Sequence, residues 1–347
     1  MFKIDNPSKV RPSEEIDAAK LSDFLGKDII EISQFPGGFS NLTYLLKTST
    51  DEYVLRRPPF GAAAKGGHDM SREFRVLSSL KNAGYLKIPH PLSIEASGEV
   101  LGAPFYVMQR LQGVILRAKD AHNQALTKNL MFNLSEKLVD NLTDLHDLDI
   151  EKTGLSQLGK PEGYVKRQVE GWINRYQNAQ TDDIEAMQIV ANWMLKYEPK
   201  TQKPTFIHND YKFDNVVWNT DLGEIIGVLD WEMSTVGDPL MDLGAALAYW
   251  CEATDGDFIK MFNLTWVSGC PTRREVVDMY AARTGRDVTD IHFYYIFGLY
   301  KNAVILQQIY ARWKKGLTQD ARFSQLIFGV RELSKMAIKA VDTEGVL

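Results

Sequence analysis

The chain has 347 residues, of which 44% are hydrophobic and 24% are charged. This composition is typical of a soluble globular protein, and the length predicts two domains or lobes rather than one. The net charge of −5 gives no general attraction to nucleic acid or to an anionic membrane surface, so an anionic ligand must be held by local groups.

The two cysteines, Cys251 and Cys270, lie in neither a CxxC pattern nor a Cys/His zinc pattern. A disulfide framework is therefore excluded, which favours a reducing cytoplasmic location. The first residues mix charges of both signs with two prolines and predict no secretory signal. No apolar run approaches the roughly 18–20 residues that a membrane span requires. We expect a cytoplasmic protein with neither a nucleic-acid nor a membrane partner.

The first part of the chain predicts a small α+β unit. Residues 1–12 are expected to form a flexible arm, and Ser13 is expected to cap an amphipathic helix. Strands are predicted at 29–33, 42–47, 53–56, 91–96 and 104–109, with a helix at 69–82. The sequence FPGGFSN between the first two strands predicts a glycine loop.

From residue 123 onward the pattern changes to that of a mainly helical unit. Helices are predicted at about 125–147, 162–178, 183–197, 239–252, 272–284, 290–314 and 319–341. Residues 204–232 interrupt them with short β-branched runs around polar loops, and loops of this kind often carry functional sites. The chain is therefore predicted to divide into a β-rich part, residues 1–110, and a mainly α part, residues 111–347.

Within this interruption, the sequence HNDYKFDN contains Asp210 and Asn215, and Asp230 follows the apolar strand EIIGVL. Phosphoryl transfer needs a carboxylate that accepts the proton of the attacking hydroxyl, together with oxygen ligands for Mg²⁺. Asp and Asn are also favoured in turns between strands, so each residue alone is equally explained as a turn former, and Asp214 is interpreted in that way. The combination of the three favours phosphoryl transfer.

This segment resembles the catalytic and metal-binding loops of the protein kinase-like fold, in the version found in aminoglycoside phosphotransferases, choline kinases and homoserine kinases. The resemblance implies a two-lobe α+β fold that uses ATP and Mg²⁺. Residues 1–110 would form the nucleotide-binding lobe. Residues 111–347 would form a helical lobe with the catalytic loop 208–215 and the acceptor pocket.

The same resemblance implies roles for individual residues. Asp210 would be the catalytic base, and Asn215 and Asp230 would be the Mg²⁺ ligands. Lys212 would either contact the transferred phosphate or be a solvated loop lysine. Asn209 stands where the commoner family pattern has glycine.

The glycine loop resembles the family's phosphate-binding loop, and its residues are candidates for nucleotide contact: Gly37, Gly38, Phe39, Ser40 and Asn41. Two glycines let the backbone approach phosphates and supply N–H groups. A GG pair in a hairpin is otherwise only a turn, and this sequence is neither GxGxxG nor a Walker motif.

Arg56 occupies the place of the strand lysine that pairs with nucleotide phosphates in this fold. A guanidinium group can bind phosphate through two hydrogen bonds, although arginine and lysine are not interchangeable. Strand alternation places Arg56, rather than Arg57, on the same side as Val54. Glu73 resembles the helix glutamate that pairs with this cation, and the alternative is an exposed helical glutamate.

Two further segments match the family pattern. PFYVMQRLQG resembles the strand and hinge against which adenine stacks, with backbone groups near Gln109 and Leu111 reading its edge, although the spacing alone predicts only a buried strand. In GDPLMDLG, Asp238 is predicted to cap a helix, and Asp238 and Asp242 are predicted to brace the catalytic loop. His146 is interpreted as a packing residue.

Only seven residues separate Asp230 from Asp238, whereas a protein kinase needs a long activation segment there to dock a peptide. The sequence therefore predicts a small-molecule hydroxyl acceptor. Within the class, VLRRPP, HNDYKFDN, LDWE and GDPLMDLG resemble phosphotransferase domains that occur alone in bacteria or fused to acyl-CoA dehydrogenases. That resemblance implies a hydroxyacyl-CoA or a hydroxy acid as acceptor.

Other interpretations stay open at this point. The chain could be a catalytically silent nucleotide-binding protein, an interpretation supported only by Arg56 in place of lysine. It could be an aminoglycoside- or choline-type kinase, or a hydrolase that uses Asp210 and Asp230 as a carboxylate pair. The sequence leaves the oligomeric state undetermined, a homodimer included.

Overall fold

The computed structural model of the protein describes residues 2–36, 41–61, 68–318 and 320–343. The chain divides into two compact units. The first comprises Met1–Ile115, Glu151–Leu155 and Asn215–Ser234, and the second comprises Leu116–Ile150, Ser156–Asp214 and Thr235–Leu347. The sequence pattern predicts one helical part for all residues after 110, whereas the structure assigns 215–234 to the β-rich unit.

A five-stranded antiparallel sheet, with strand order β1-β2-β3-β5-β4, forms the centre of the first unit. The strands are β1 (Glu31–Gln34), β2 (Leu42–Lys47), β3 (Glu52–Arg57), β4 (Pro91–Glu95) and β5 (Phe105–Gln109). Alternate apolar side chains on one face build the core, with Leu21, Ile29, Leu42, Tyr44, Leu46, Leu55, Phe105 and Val107 buried together. The alternation leaves Arg56 on the opposite face of β3 from Leu55.

Helix α2 (Met70–Asn82) follows the sheet's third strand, as the sequence predicts. Asp69 caps it, because its side chain accepts a hydrogen bond from the main-chain N–H of Arg72 at 2.9 Å. Val76, Leu77 and Leu80 bury one face of the helix. Glu73 lies on a buried face as well, so it is not the exposed helical glutamate of the alternative interpretation.

The first helix, α1 (Ala18–Leu25), begins later than the sequence predicts. Ser13 is not its cap and has a left-handed backbone conformation with a φ of 71°. Asp17 caps the helix, because its carboxylate accepts hydrogen bonds from the main-chain N–H groups of Ala19 and Lys20. A carboxylate next to the helix N-terminus satisfies two donors, which a serine four residues upstream cannot do.

The segment expected to be a flexible arm is hydrogen-bonded to the sheet instead. Ser8 pairs with Gln34 in an antiparallel bridge, and the N–H of Arg11 donates to the side chain of Gln34 at 3.0 Å. The N–H of Asp5 donates to the carbonyl of Gly113 at 3.0 Å. These partners are distant in sequence, so local composition gave no sign of them.

A two-stranded hairpin explains why residues 215–234 belong to the first unit. Its strands are β7 (Val216–Trp218) and β8 (Ile225–Val228). Trp218 forms an antiparallel bridge with Val114, and the N–H of Val228 donates to the carbonyl of Lys87 at 2.9 Å. These contacts join the hairpin, and the residues that flank it, to the unit that contains the five-stranded sheet.

The second unit is mainly helical. Its helices are α3 (Lys128–His146), α4 (Tyr164–Ala179), α5 (Glu185–Lys196), α6 (Pro239–Tyr249), α7 (Asp257–Lys260), α8 (Arg273–Thr284), α9 (Ile291–Lys314) and α10 (Leu326–Asp342). Strands β6 (Thr205–Ile207) and β9 (Thr235–Gly237) form a short antiparallel pair. In the part of the chain that the structure describes, no helix combines the length and the apolar character needed to cross a membrane.

Helices α6 and α9 approach each other closely at two glycines. A Cβ atom at Gly244 of α6 would lie 2.3 Å from the carbonyl oxygen of Tyr294, and one at Gly298 of α9 would lie 2.4 Å from the carbonyl oxygen of Gly244. Neither contact can be relieved by a side-chain rotation, because the neighbouring atoms belong to the backbone. This crossing fixes α9 against the helix that carries Asp242.

We expect Gly244→Ala to lower the free energy of unfolding by roughly 1–3 kcal/mol, because the added methyl group must separate two packed helices. Urea denaturation followed by circular dichroism measures the change. Gly171→Ala in α4 is the matched control, since its Cβ would meet only the terminal Nη1 of Arg175, at 3.1 Å. That variant is expected to be neutral or stabilised by up to about 1 kcal/mol. Equal losses in both variants would contradict the close-approach explanation.

Candidate active site

Arg56 is the centre of a buried ion-pair cluster in the first unit. Its Nε lies 3.2 Å from Oε2 of Glu73, and its Nη2 lies 2.6 Å from Oδ1 of Asp230 and 3.1 Å from Oε2 of Glu232. The side chain of Arg56 is 12% exposed. The guanidinium of Arg56 faces three carboxylates, and the charge of Arg72 also acts on Glu73. The carboxylates still outnumber the two guanidinium groups, which favours the binding of a further cation.

The pKa values of this cluster reflect the same imbalance. Burial lowers the pKa of Arg56, but the charges of Glu73 and Asp230 outweigh burial and hold it well above its ordinary value. Burial raises the pKa of Glu73 in spite of the neighbouring guanidinium. Arg57 takes no part, because its guanidinium lies over the ring of Phe60, 3.9 Å from the centroid. Arg56 is thus the arginine that meets the helix glutamate.

Asp230 has a left-handed backbone conformation, with a φ of 66° and a ψ of 59°. Such a conformation costs about 1–2 kcal/mol for a residue other than glycine, and it persists only where neighbours enforce it. The next residue, Trp231, is buried, and its Nε1 donates to the carbonyl of Val228 at 2.9 Å. The carbonyl of Trp231 accepts a hydrogen bond from the hydroxyl of Ser234 at 2.7 Å. The anchored tryptophan therefore fixes the direction in which Asp230 leaves β8.

Asn215 directly precedes β7 and lies beside the end of β8. Its main-chain oxygen accepts a hydrogen bond from the N–H of Leu229 at 2.8 Å, so it is adjacent to the residue that precedes Asp230. Among the residues that the structure describes, no group of three or more His, Cys, Asp or Glu side chains is placed to hold a metal ion. Mg²⁺ is ordinarily bound by one or two protein oxygens together with substrate phosphates. An amide oxygen and a carboxylate on neighbouring segments, beside an excess of negative charge, fit that requirement.

Glu232 belongs to this site and was not predicted. Its Oε2 accepts hydrogen bonds from Arg56 and from the side-chain amide of Asn41, the latter at 2.9 Å. Asn41 is the last residue of the predicted glycine loop, and Gly37–Ser40 lie outside the described residues. The tetrapeptide LDWE contained the signal, since Glu232 lies only two residues after Asp230 and contacts the same guanidinium.

The predicted adenine hinge follows β5. The N–H of Gln109 donates to the carbonyl of His90 at 2.8 Å, so this main-chain donor is already paired within the first unit. The side chain of Leu111 packs directly on β8, where a Cβ atom at Gly227 would lie 2.1 Å from its Cδ1. The glycine at this position therefore makes room for the hinge residue.

Asp242 braces the turn at His208 and Asn209 in the second unit, as the sequence predicts. Its two carboxylate oxygens accept hydrogen bonds from the main-chain N–H groups of His208, at 2.6 Å, and Asn209, at 2.7 Å. Nε2 of His146 lies 3.1 Å from the same carboxylate. Burial would raise the pKa of Asp242, but the hydrogen bond and charge of His146 outweigh burial and lower it.

The backbone conformation at Asn209 explains why the commoner family pattern has glycine at this position. Its φ is 66°, a left-handed conformation that glycine adopts freely and asparagine tolerates better than most residues. Its side-chain amide donates to the hydroxyl of Tyr164 at 3.0 Å, and its carbonyl accepts a hydrogen bond from Nζ of Lys301. Asparagine therefore keeps the required backbone and adds a side-chain anchor.

Asp210 follows this turn and is paired within the second unit. Its Oδ2 lies 3.1 Å from Nζ of Lys212, and it also accepts a hydrogen bond from the hydroxyl of Tyr249. Burial would raise the pKa of Asp210, but the charges of Lys212 and Lys301 outweigh burial and hold it below its ordinary value. The carboxylate is therefore ionised at neutral pH and able to accept a proton. Lys212 is only 19% exposed, so it is not a solvated loop lysine.

Asp238 has a structural position, at the N-terminus of α6. Its carboxylate accepts hydrogen bonds from the N–H of Leu240, at 2.9 Å, and from the N–H of Gln202, at 2.8 Å. The hydroxyl of Tyr294 donates to it at 3.0 Å. Asp238 thus caps α6 and fastens the segment that leads into β6.

Residues 31–276 match the family described as Phosphotransferase enzyme family, APH. The chain belongs to this family. It is 32% identical over 326 residues to Acyl-CoA dehydrogenase family member 10 of Mus musculus, covering 91% of this chain and 30% of that protein. It is 31% identical to Acyl-CoA dehydrogenase family member 11 of Rattus norvegicus, covering 89% of this chain and 41% of that protein. The chain therefore spans well under half of the length of these relatives.

Solved structures confirm the predicted kinase-like α+β fold. A Ralstonia eutropha protein named for the aminoglycoside phosphotransferases superposes with a TM-score of 0.79 at 26% identity, covering 95% of this chain and 99% of that one. A mutant of aminoglycoside phosphotransferase APH(4)-Ia, in complex with ADP and hygromycin B, superposes with a TM-score of 0.62 at 15% identity, covering 93% of this chain and 98% of that one.

Proposed function

We propose that this chain transfers the γ-phosphate of ATP, with Mg²⁺, to the hydroxyl group of a small molecule. The observation that carries the proposal is Asp210, a mostly buried, ionised carboxylate that is held by Lys212 and Tyr249. Phosphoryl transfer requires little covalent chemistry from the protein, so a fixed carboxylate that orients and deprotonates the acceptor hydroxyl is its main chemical contribution.

The remaining groups would bind and orient the nucleotide. Asn215 and Asp230 would hold Mg²⁺, which when bound neutralises charge on the phosphates. Arg56, oriented by Glu73, would pair with those phosphates, because a planar guanidinium matches phosphate oxygens. The glycine loop, Gly37–Asn41, and the hinge at Gln109 and Leu111 would complete the ATP site. Lys212 would contact the transferred phosphate.

The chain segment after Asp230 supports a small acceptor. It forms a single 3₁₀ turn, Trp231–Met233, then the three-residue strand β9, and then enters α6 at Pro239. No residues are left over for a segment that could dock a peptide substrate.

We propose a hydroxyacyl-CoA or a hydroxy acid as the acceptor. Support comes from the relatives in mouse and rat, which are named as acyl-CoA dehydrogenase family members and of which this chain matches only part. An aminoglycoside-type acceptor is the second candidate, because a structural neighbour binds hygromycin B together with ADP. The two candidates differ in charge, since acyl-CoA thioesters are anionic and aminoglycosides are cationic.

The test is ADP release from Mg·ATP across a panel of hydroxy acids, hydroxyacyl-CoAs, choline, sugars and aminoglycosides. Acceptor-stimulated release identifies the acceptor class. ATP binding without turnover on any acceptor would instead support a silent nucleotide-binding protein, and hydrolysis of an acceptor without ATP would support a hydrolase.

Asp230→Ala is expected to weaken the binding of Mg·ATP by about 10–100-fold, because the ion loses a carboxylate ligand. Calorimetric titration with ATP at several Mg²⁺ concentrations measures this loss. Asp221→Asn is the matched control, since this exposed aspartate lies on the same hairpin and its side chain accepts only a local hydrogen bond from Gly223. Unchanged metal dependence in the Asp230 variant would contradict the ligand role.

A further inference from the structure

Lys301 is a buried lysine in the middle of α9. It is 2% exposed and lies in the apolar run FGLYKNAVIL. Removing an ammonium group from water costs several kcal/mol unless other groups compensate, so this position requires an explanation. The charged groups near Lys301 are Asp210 and Lys212 on the catalytic loop and Asp242 on α6. The ring of Trp172 on α4 lies 5.9 Å from its Nζ.

The ammonium group contacts one particular peptide bond. Nζ of Lys301 donates to the carbonyl of Asn209, which is the carbonyl of the peptide that joins Asn209 to Asp210. The N–H of the same peptide, at Asp210, donates to Nδ1 of His208 at 3.2 Å. Both polar groups of this peptide are therefore held, and the left-handed turn at Asn209 has a fixed orientation.

The other contacts described for this turn hold different atoms of it. Asp242 holds the N–H groups of His208 and Asn209, which precede the peptide, and Tyr164 holds the side chain of Asn209. Neither reaches the carbonyl that determines the plane of the peptide leading into Asp210. A rotation of that plane would move the Asp210 carboxylate, and a displacement of about 1 Å is sufficient to cost on the order of 10²-fold in rate.

We propose that Lys301 is a positioning residue for Asp210, which it serves by fixing the Asn209–Asp210 peptide and by placing a positive charge near the Asp210 carboxylate. The proposal rests on the proposed function, because it assigns Asp210 as the base. Lys301 itself contacts neither the nucleotide nor the acceptor in this scheme.

The charge of Lys301 has a defined pH range. Burial lowers its pKa to about 8, in spite of the opposing effects of Asp210 and Asp242. The ammonium group is therefore fully charged well below pH 8 and loses its proton as the pH rises through that value. Loss of the charge removes a favourable partner from Asp210 and weakens the hydrogen bond to Asn209, so turnover is expected to fall above about pH 8.

The experiment compares Lys301→Met with Gln307→Met. Gln307 is also fully buried on α9, and its side-chain amide donates to the carbonyl of Ala179 and the hydroxyl of Thr181, away from the loop. Both substitutions remove buried hydrogen bonds from the same helix at similar side-chain volume. A general loss of stability therefore affects both variants, whereas an effect through Asp210 affects only the first.

Two readouts separate this proposal from the proposed function. Amide hydrogen exchange over residues 208–212 needs no catalysis and is expected to accelerate in Lys301→Met but not in Gln307→Met. Turnover of Lys301→Met is expected to fall by about 10–100-fold, while the KM for ATP stays within about twofold of the wild-type value. In the pH profile of this variant, the decline of turnover above pH 8 should be absent. The rise of turnover on the acid side should occur at higher pH than in the wild type.

Unchanged exchange over residues 208–212, or a pH profile shared by both variants, would overturn the positioning role of Lys301. If the wild-type protein turns over no acceptor, the proposed function fails, and accelerated exchange in Lys301→Met still shows that the lysine holds the loop. If the wild-type protein does turn over an acceptor, but Lys301→Met leaves both the exchange over residues 208–212 and the pH profile of turnover unchanged, the proposed function stands and Lys301 is a structural residue.

Discussion

Replacing Asp210 by asparagine is expected to lower acceptor-dependent turnover by on the order of 10²-fold or more, with nucleotide binding largely intact. The amide has nearly the same size as the carboxylate and can still face Tyr249, but it cannot accept the hydroxyl proton. The pKa of Asp210 is held low by Lys212 and Lys301 against the effect of burial, so the wild-type group is ionised throughout the neutral range. Initial-rate kinetics and ATP titration measure the two effects separately.

Asp214→Asn is the matched control for this substitution, since Asp214 lies four residues later in the same loop. Burial raises the pKa of Asp214, whereas the pKa of Asp210 is lowered, so replacement by a neutral amide disturbs the charge balance less at Asp214 than at Asp210. We expect a change of less than about tenfold in turnover. Loss of ATP binding in Asp210→Asn would show that Asp210 is structural, and equal losses in both variants would show that the loop has no single base.

Replacing Asp242 by alanine is expected to lower the free energy of unfolding by roughly 3–5 kcal/mol. The carboxylate is fully buried and accepts hydrogen bonds from the main chain at His208 and Asn209 and from the ring of His146. Alanine would leave these buried donors without an acceptor. Chemical denaturation measures the loss. Asp278→Ala on α8 is the control, because its ion pair with Arg274 is more than half exposed and is worth at most about 1 kcal/mol.

The contribution of Asp242 should also depend on pH. Its pKa in the folded protein lies below the ordinary value, because His146 and the neighbouring N–H groups outweigh burial. The unfolded chain therefore takes up the proton first as the pH falls. The stabilisation is complete above the ordinary carboxyl pKa of about 4 and is lost below it. Stability measured from pH 6 to pH 3 should fall less steeply in Asp242→Asn than in the wild type, and parallel curves would contradict this account.

The chemistry of the candidate site was largely readable from short segments of sequence. Asp210, Asn215 and Asp230 are close in sequence to the turns and strands that position them, so their residue types and order carry the information. Strand alternation likewise distinguished Arg56 from Arg57, because a period of two residues is a local property of a strand. The helix cap Asp238 was predictable for the same reason.

Two features depended on contacts between distant parts of the chain, and a third depended on a local helix cap. Residues 2–12 are held by β1 through Ser8 and Gln34, so their polar composition gave a wrong expectation of a flexible arm. The segment 215–234 belongs to the first unit because of a bridge between Val114 and Trp218. The start of α1 was predicted wrongly, because the carboxylate of Asp17 caps the helix where the sequence predicts Ser13 as the cap.

The sequence by itself determined which residue types are available for phosphoryl transfer, because the motif that carries them is local. Only the tertiary structure decided which charges surround them. Glu232 accepts a hydrogen bond from Arg56, which is 176 residues away in sequence, and Lys301 reaches the carbonyl of Asn209 from 92 residues away. Electrostatic interactions depend on distance in space and on burial, and neither quantity is encoded in the spacing of a motif. The protonation state and orientation of Asp210 are therefore properties of the folded chain.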